Sequence, residues 1–206
     1  MGKVRDEWIM EKVRCGWSEN ASPLDQEYHD REWGIPTYDD TMLFEYLVLE
    51  GMQAGLSWTT ILHRRETIKK AFDNYDLHKI IAYDQTKIDA LLQDPGIIRN
   101  KLKVNAVINN AKLFLEIQKE CGSFSDYLWA YVNHKPVVNR WKTMEEMPAS
   151  TSLSDIISKD LKKRGFKFVG TTIIYAYLQA AGIVDDHEEG CFCSRKSKDM
   201  SSGNAL

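Results

Sequence analysis

No apolar run in this sequence approaches the roughly 20 residues that a membrane-spanning helix needs. Met1 to Arg14 is charged and lacks the apolar centre of a secretory leader. The expected location is therefore cytoplasmic, with no membrane partner. Cysteine is sparse, with residues at 15, 121, 191 and 193 only, which argues against a disulfide framework and for a reducing compartment. Positive charge is not in excess: the net charge is −3, so nucleic-acid binding would have to rest on a local patch. Strand-like alternation is nearly absent and there is no internal repeat, so the expected fold class is all-α.

What is present is a hydrophobic content of 43% in 206 residues, enough for one large domain or two small lobes. Residues 1–193 are expected to form that domain, and the Ser, Lys and Gly-rich residues 194–206 a disordered tail. Six Trp and nine Tyr are many for this length. Most belong in a core, but such rings also line pockets for planar ligands.

Residues 1–14 read as a short helical or frayed extension, and 28–34 as a loop or short helix ending at Gly34 and Pro36. Asp39 or Asp40 can cap a helix over 41–51. Ser57 can cap another, with Ile61, Leu62, Ile68 and Phe72 as its stripe. Asp76 and Asp84 start short helices over 77–82 and 85–93, and Asp94-Pro95-Gly96 is a turn. Helices over about 100–119, 124–132 and 152–163 precede one after Gly170. The irregular connection from Pro136 to Pro148 divides the chain into two candidate lobes.

Three groups of residues carry chemistry. His187 and Cys191 have metal-ligand spacing, and Cys15 and His29 complete two thiolates and two imidazoles, a normal tetrahedral zinc set. Cys193 competes with Cys191. Cys121 reads as a buried small hydrophobe, and His63, His78 and His134 as solvated. Second, Glu50 is a lone carboxylate at an apolar helix end, costly to bury unless paired or used. The glycines around Met52-Gln53-Ala54 permit close backbone approach. Third, Lys162, Lys163, Arg164 and Lys167 lead into Gly170, Thr171 and Thr172. There the N–H groups of a helix start, with the hydroxyls, can hold a phosphate. The sets His63-Arg64-Arg65 and Arg99, Lys101, Lys103 read as ordinary solvated faces.

With these residues in view, the chain resembles the bacterial 3-methyladenine DNA glycosylase I family, a branch of the helix–hairpin–helix glycosylases. The resemblance rests on Arg-Cys-Gly-Trp (14–17), Tyr-His-Asp-x-Glu-Trp-Gly (28–34), Leu-Glu-Gly (49–51), Gln-Ala-Gly-Leu-Ser-Trp (53–58), Gly-Ile-Ile-Arg (96–99), Lys-Lys-Arg-Gly-Phe-Lys-Phe-Val-Gly-Thr-Thr (162–172) and Asp-His-x3-Cys (186–191). It implies a two-lobed helical fold with a base pocket between the lobes and a zinc clasp joining the terminal segments. It implies structural zinc on Cys15, His29, His187 and Cys191. It implies that Glu50 recognises an extruded base, with Trp17, Tyr28, Trp33 and Trp58 around it. Gly55 and Leu56 would fill the gap left by the flipped nucleotide, and Lys167, Gly170, Thr171 and Thr172 would hold the DNA backbone.

The implied activity is monofunctional hydrolysis of the N-glycosidic bond of 3-methyladenine. The strand-cutting relatives carry a lysine where this chain has Thr172. The implied partners are duplex DNA with alkylated adenine and the free base as product, with the protein acting as a monomer. Asp185 falls where other superfamily members carry a catalytic aspartate, so it is a second catalytic candidate, its other role being to orient His187. Three departures stand out. Phe168 replaces a hairpin glycine. Asp25 replaces a pocket tyrosine, which would cost the pocket a ring and add a charge. Met52 replaces a glutamine.

Overall fold

Short polar caps set most helix starts in the computed structural model, which describes residues 12–194. The expected extension over 1–14 lies mostly outside those residues, as does the tail beyond Ser194. Ser194, expected to begin that tail, is buried and donates its backbone N–H to Cys191 O at 3.1 Å.

Helix α1 (Gly16–Glu19) leads to α2 (Pro23–Arg31), where the Ser22 hydroxyl accepts the Asp25 N–H and Pro23 takes the first turn. The segment 28–34 is thus mostly helix. Helix α3 (Asp40–Gln53), capped by Asp39, buries residues on every face, among them Phe44, Leu47, Leu49, Glu50 and Met52. A helix apolar all round belongs in the centre of a fold, and α3 is that centre.

The stripe expected to run from Ser57 to Phe72 is broken into α4 (Trp58–Leu62) and α5 (Arg65–Ala71). The break has a tertiary consequence. It turns Arg65 onto Glu32 at 2.7 Å and the buried Glu45 at 2.5 Å. Arg65, read from sequence as a solvated cation, is part of an internal ion-pair network.

Helices α6 (Leu77–Ile80) and α7 (Gln85–Gln93) precede the long α8 (Lys101–Cys121), capped by Asn100. Cys121 is exposed at its last turn. The expectation that it is buried fails because α8 ends there, at Gly122. Helix α9 (Phe124–Ala130) follows, then α10 (Ser152–Arg164) and α11 (Thr171–Ala180). A reciprocal Thr151–Ser154 capping box opens α10, and Gly165 in the left-handed region closes it.

The connection 136–148 is not free-running. Its β1 (Val137–Val138) pairs in parallel with β2 (Val184–Asp185), the only pairing of strands among the described residues. Two-residue strands leave no alternation to read in a sequence.

Asp186 completes the join. Its carboxylate accepts from Asn139 Nδ2, Trp141 Nε1 and Gln179 Nε2, each at 2.7 Å, and from the Tyr175 hydroxyl at 2.5 Å. Asp186→Ala would leave these donors without their acceptor inside the protein. We expect a loss on the order of 3 kcal/mol, seen as a fall in Tm of about 6–12 °C. A Tm within about 2 °C of wild type would mean that water replaces the carboxylate at little cost.

The segment joining α10 to α11 is held from two sides. Asn110 on α8 accepts the Lys167 N–H and donates to the Lys167 carbonyl, both at 2.9 Å, and Ser158 donates to Val169 O at 2.6 Å. Phe168 sits at φ +55°, the left-handed conformation that glycine adopts at no cost. A conformation that favours glycine is thus taken here by a bulky residue.

Candidate functional site

One cavity of about 190 Å³ is lined by Trp17, Tyr28, Trp33, Glu50, Gln53, Trp58, Met144, Met147, Ala176 and Gln179. Every residue expected around the base is present. Helices α1 and α2 bring Trp17 and Tyr28, the turn after α2 brings Trp33, α3 brings Glu50 and Gln53, and α4 opens with Trp58. The Tyr28 and Trp58 rings are 5.1 Å apart at 49°, and Trp17 meets Trp33 edge-on at 5.3 Å.

Glu50 is only 4% exposed, and its Oε2 is buried without a hydrogen-bond partner among the described residues. Burial pushes its carboxyl up from 4.5 to about 8. The buried Tyr28 hydroxyl is held well above its ordinary value by desolvation and then by the nearby Glu50 charge, so it stays protonated. The indole N–H groups of Trp17 and Trp58 are also buried without partners. The cavity is therefore an aromatic box with an unsatisfied acid at one wall and unsatisfied donors at others. Such a box favours a flat, positively charged ligand with hydrogen-bonding edges.

Gln53, Met144, Met147, Ala176 and Gln179 are pocket residues that the sequence reading did not assign. Gln179 had a signal, a lone amide on the apolar α11, of the kind that singled out Glu50. Its Nε2 donates to Asp186 and to Met147 Sδ at 3.3 Å. The methionines come from the 136–148 connection, where no periodicity marks them.

Two departures prove harmless to the cavity. Asp25 does not line it. Its carboxylate is buried between the Ser22 hydroxyl at 2.6 Å and the Thr59 hydroxyl at 3.0 Å, so it joins α2 to α4 and adds no charge to the pocket wall. Met52 faces away, into a small space bordered by Lys103 and Phe168.

A second cluster lies directly behind the aromatic box. Ligand atoms of His29, His187, Cys191 and Cys193 lie within 4.8 Å of one another, and the Cys15 thiol is hydrogen-bonded to Cys191. Five candidate donors thus converge where four were expected. Each imidazole is oriented by a carboxylate at Nδ1: His29 by Asp30 at 2.9 Å, His187 by Asp185 at 2.7 Å. His187 Nε2 is left buried without a partner. Backbone N–H groups of Glu188 and Cys193 reach Cys15 Sγ at 3.3 Å and Cys191 Sγ at 3.4 Å.

The residues fit a metal. The imidazoles are fixed in the tautomer that frees Nε2, and two sulfurs accept N–H groups as thiolates do. Hydrogen bonds from its neighbours favour the Cys191 thiolate, while Cys15, against that sulfur, is held in its protonated form. A dication would remove that competition. Gly34 belongs to this cluster too, since a Cβ there would fall 2.6 Å from the His187 ring.

Asp185 is not a pocket residue. It is 1% exposed, with Oδ1 on His187 Nδ1 at 2.7 Å, the contact expected of its orienting role. Of the expected DNA contacts, Gly55 (φ +78°) and the 41% exposed Leu56 form an open turn after α3, and Lys167 and Thr172 are exposed. No side chain caps the start of α11 at Gly170. The Thr171 hydroxyl, however, donates to Asp155 at 2.6 Å and lies 2.8 Å from Ser154 Oγ. The hydroxyl is thus engaged by α10 at the half-exposed start of α11, beside its backbone N–H.

Helical architecture, an aromatic box closed on a buried acid and an uncapped helix start together define a base-binding protein of the DNA glycosylase type. The chain belongs to the methyladenine glycosylase family, whose model matches residues 17–194. It is 49% identical over 180 residues to DNA-3-methyladenine glycosylase 1 of Escherichia coli K12, covering 87% of this chain and 96% of that protein. A Haemophilus influenzae DNA-3-methyladenine glycosylase is 46% identical over 182 residues, covering 88% and 97%. A crystal structure of 3-methyladenine DNA glycosylase I superposes with a TM-score of 0.85 at 45% identity, covering 88% of this chain and 99% of that one. The Staphylococcus aureus enzyme, solved to show its recognition of 3-methyladenine, gives 0.84 at 36% identity, covering 88% and 96%.

Proposed function

We propose that this chain removes 3-methyladenine from alkylated duplex DNA by hydrolysis of the N-glycosidic bond, without cutting the strand. The observation that carries this is the unpartnered Glu50 carboxylate inside the ring of Trp17, Tyr28, Trp33 and Trp58. Methylation at N3 makes the nucleotide's adenine cationic and a good leaving group. The rings attract that cation by about 0.5–2 kcal/mol per contact, and Glu50 supplies the countercharge and accepts the exocyclic N–H. Unmodified adenine has no charge to exchange for the cost of leaving the stack, which is a few kcal/mol.

In this reading α10, the turn 165–170 and α11 are the helix–hairpin–helix, gripping the backbone through the free N–H groups at 170–172 and Lys167. Leu56 fills the gap in the duplex. Thr172 stands where a Schiff-base lysine would be needed, so water is the acceptor of the sugar.

Cys15, His29, His187 and Cys191 hold a structural zinc that ties the chain ends together. Cys193 is the alternative to Cys15 in that set, since its sulfur lies in the same cluster with the thiol 3.9 Å from the carbonyls of His29 and Asp30. Four protein ligands would leave the metal no position for a water, so it takes no part in the reaction. The chain works as a monomer of two helical lobes with the pocket between them. Among the described residues no helix is long and apolar enough to cross a membrane.

The test is release of free bases from methylated duplex DNA. We expect 3-methyladenine in large excess over 7-methylguanine, and no covalent adduct with DNA under borohydride. Absence of any base release from folded protein would overturn the enzyme and leave a damage-binding module.

A further inference from the structure

Lys103 was expected on a solvated basic face, yet its side chain is buried, 6% exposed, on the first turn of α8. Its Nζ donates to Met52 O at 2.8 Å and Ala54 O at 2.7 Å. Burial lowers its pKa, with no charged neighbour acting on it. An ammonium held only by carbonyls is an uncommon arrangement, because a lysine is rarely buried without an acid.

The two carbonyls are not arbitrary ones. They belong to the last turn of α3, where backbone oxygens lack helical partners and the helix dipole is negative. Directly after them the chain reverses at Gly55, Leu56 N–H closes on Gln53 O at 2.6 Å, and Leu56 projects outward. Two turns of helix at most separate this point from Glu50 on the same α3. Phe168, held at positive φ in the α10–α11 turn, borders the same small space as Lys103 and Met52, and its Cβ would touch a Cβ placed on Gly51 at 3.5 Å.

We propose that Lys103 is a positioning residue for base extrusion: it clamps the end of α3 so that the Gly55–Leu56 turn stays rigid when pressed into duplex DNA. A wedge can displace a stacked base only if its own support does not yield. A flexible turn would relax instead of transmitting the cost of unstacking. Base recognition at Glu50 needs no such support, since Glu50 lies before the clamped carbonyls. The two functions should therefore separate on substitution. This inference rests on the glycosylase reading, and it is judged only on the ratio of variant to wild type, so loss of activity in the wild type itself would bear on that reading alone.

The experiment compares Lys103→Met, which keeps the stem but loses the donors, with Lys103→Arg, which keeps charge and donors. Three readouts are needed: release of 3-methyladenine from methylated duplex DNA, release from methylated single strands, and binding of free 3-methyladenine by tryptophan fluorescence. For Lys103→Met we expect duplex release to fall by about tenfold or more, single-strand release by less than about threefold, and free-base affinity to change by less than about twofold. Lys103→Arg should recover most of the duplex rate.

A second comparison keeps the idea testable if Lys103→Met folds poorly. Leu56→Ala should slow duplex release equally in the wild type and in the Lys103→Arg background, where the clamp is kept, but add little in the Lys103→Met background or, where that variant folds poorly, in the Lys103→Gln background, since the support and the wedge act as one unit. Equal losses in all three readouts, an unchanged duplex rate, or additive effects of the two substitutions would each overturn the proposal.

Discussion

Glu50→Gln is expected to lower 3-methyladenine release by about 100-fold or more while making the free protein more stable. Both effects have one cause. The carboxyl is desolvated and has a free oxygen, which is favourable only when a cationic base sits against it. Without ligand the ionised form is penalised, and this is why its pKa rises to about 8.

The sign follows from proton linkage. Between about pH 4.5 and 8 the folded state binds a proton at Glu50 that the unfolded state has lost. Stability is therefore complete below about pH 4.5 and falls by about 1.4 kcal/mol per pH unit up to about 8. A neutral glutamine removes that slope. At pH 7.5 the variant should gain about 4 kcal/mol, read as a Tm higher by about 8–16 °C, with the gain vanishing near pH 4.5. The cationic nucleotide should also draw Glu50 into its ionised form, so binding at neutral pH releases a proton measurable as a buffer-dependent heat. If the variant releases base as the wild type does, Glu50 is not the recognition group. If stability is equal at all pH values, the carboxyl is not desolvated.

Removing the metal is the second large effect. Metal analysis is expected to find one zinc per chain, and a strong chelator to lower Tm by more than about 10 °C, since binding energy to such a site is folding energy. His187→Ala should behave like the chelated protein, whereas Cys193→Ser should keep its zinc. The base pocket should weaken as well. Trp33 packs 4.8 Å from the His187 ring and Trp17 5.3 Å from that of His29, so the ligands hold two walls of the box. Chelation that leaves Tm and free-base binding unchanged would remove the clasp from the account. Zinc lost from Cys193→Ser but kept in Cys15→Ser would exchange those two cysteines.

Local signals in the chain were enough for most helices and for Glu50, while the rings of the box came from the family resemblance. Asp39, Ser57, Asp76 and Asp84 mark helix starts because a short polar side chain satisfies N–H groups only two or three residues away. Glu50 stood out because one acid in an apolar run needs a reason. Trp17, Tyr28, Trp33 and Trp58 were legible through short motifs around them, and the cavity contains all four.

What tertiary structure alone decided involves partners far apart in the chain. The break between α4 and α5 places Arg65 on Glu32 and Glu45, partners that nothing near His63 announces. Lys103 is buried because the end of α3, some fifty residues earlier, presents two carbonyls to it. The Thr171 hydroxyl is bonded to Asp155, and Asp185 to His187. Met144 and Met147 reach the cavity because β1 pairs with β2, a contact of two residues with no pattern of its own. Caps and amphipathic stripes act over one turn of helix and are written into neighbouring residues. Ion pairs, clamps and cavity walls depend on how finished elements pack, and there a residue's role is set by what the fold brings beside it.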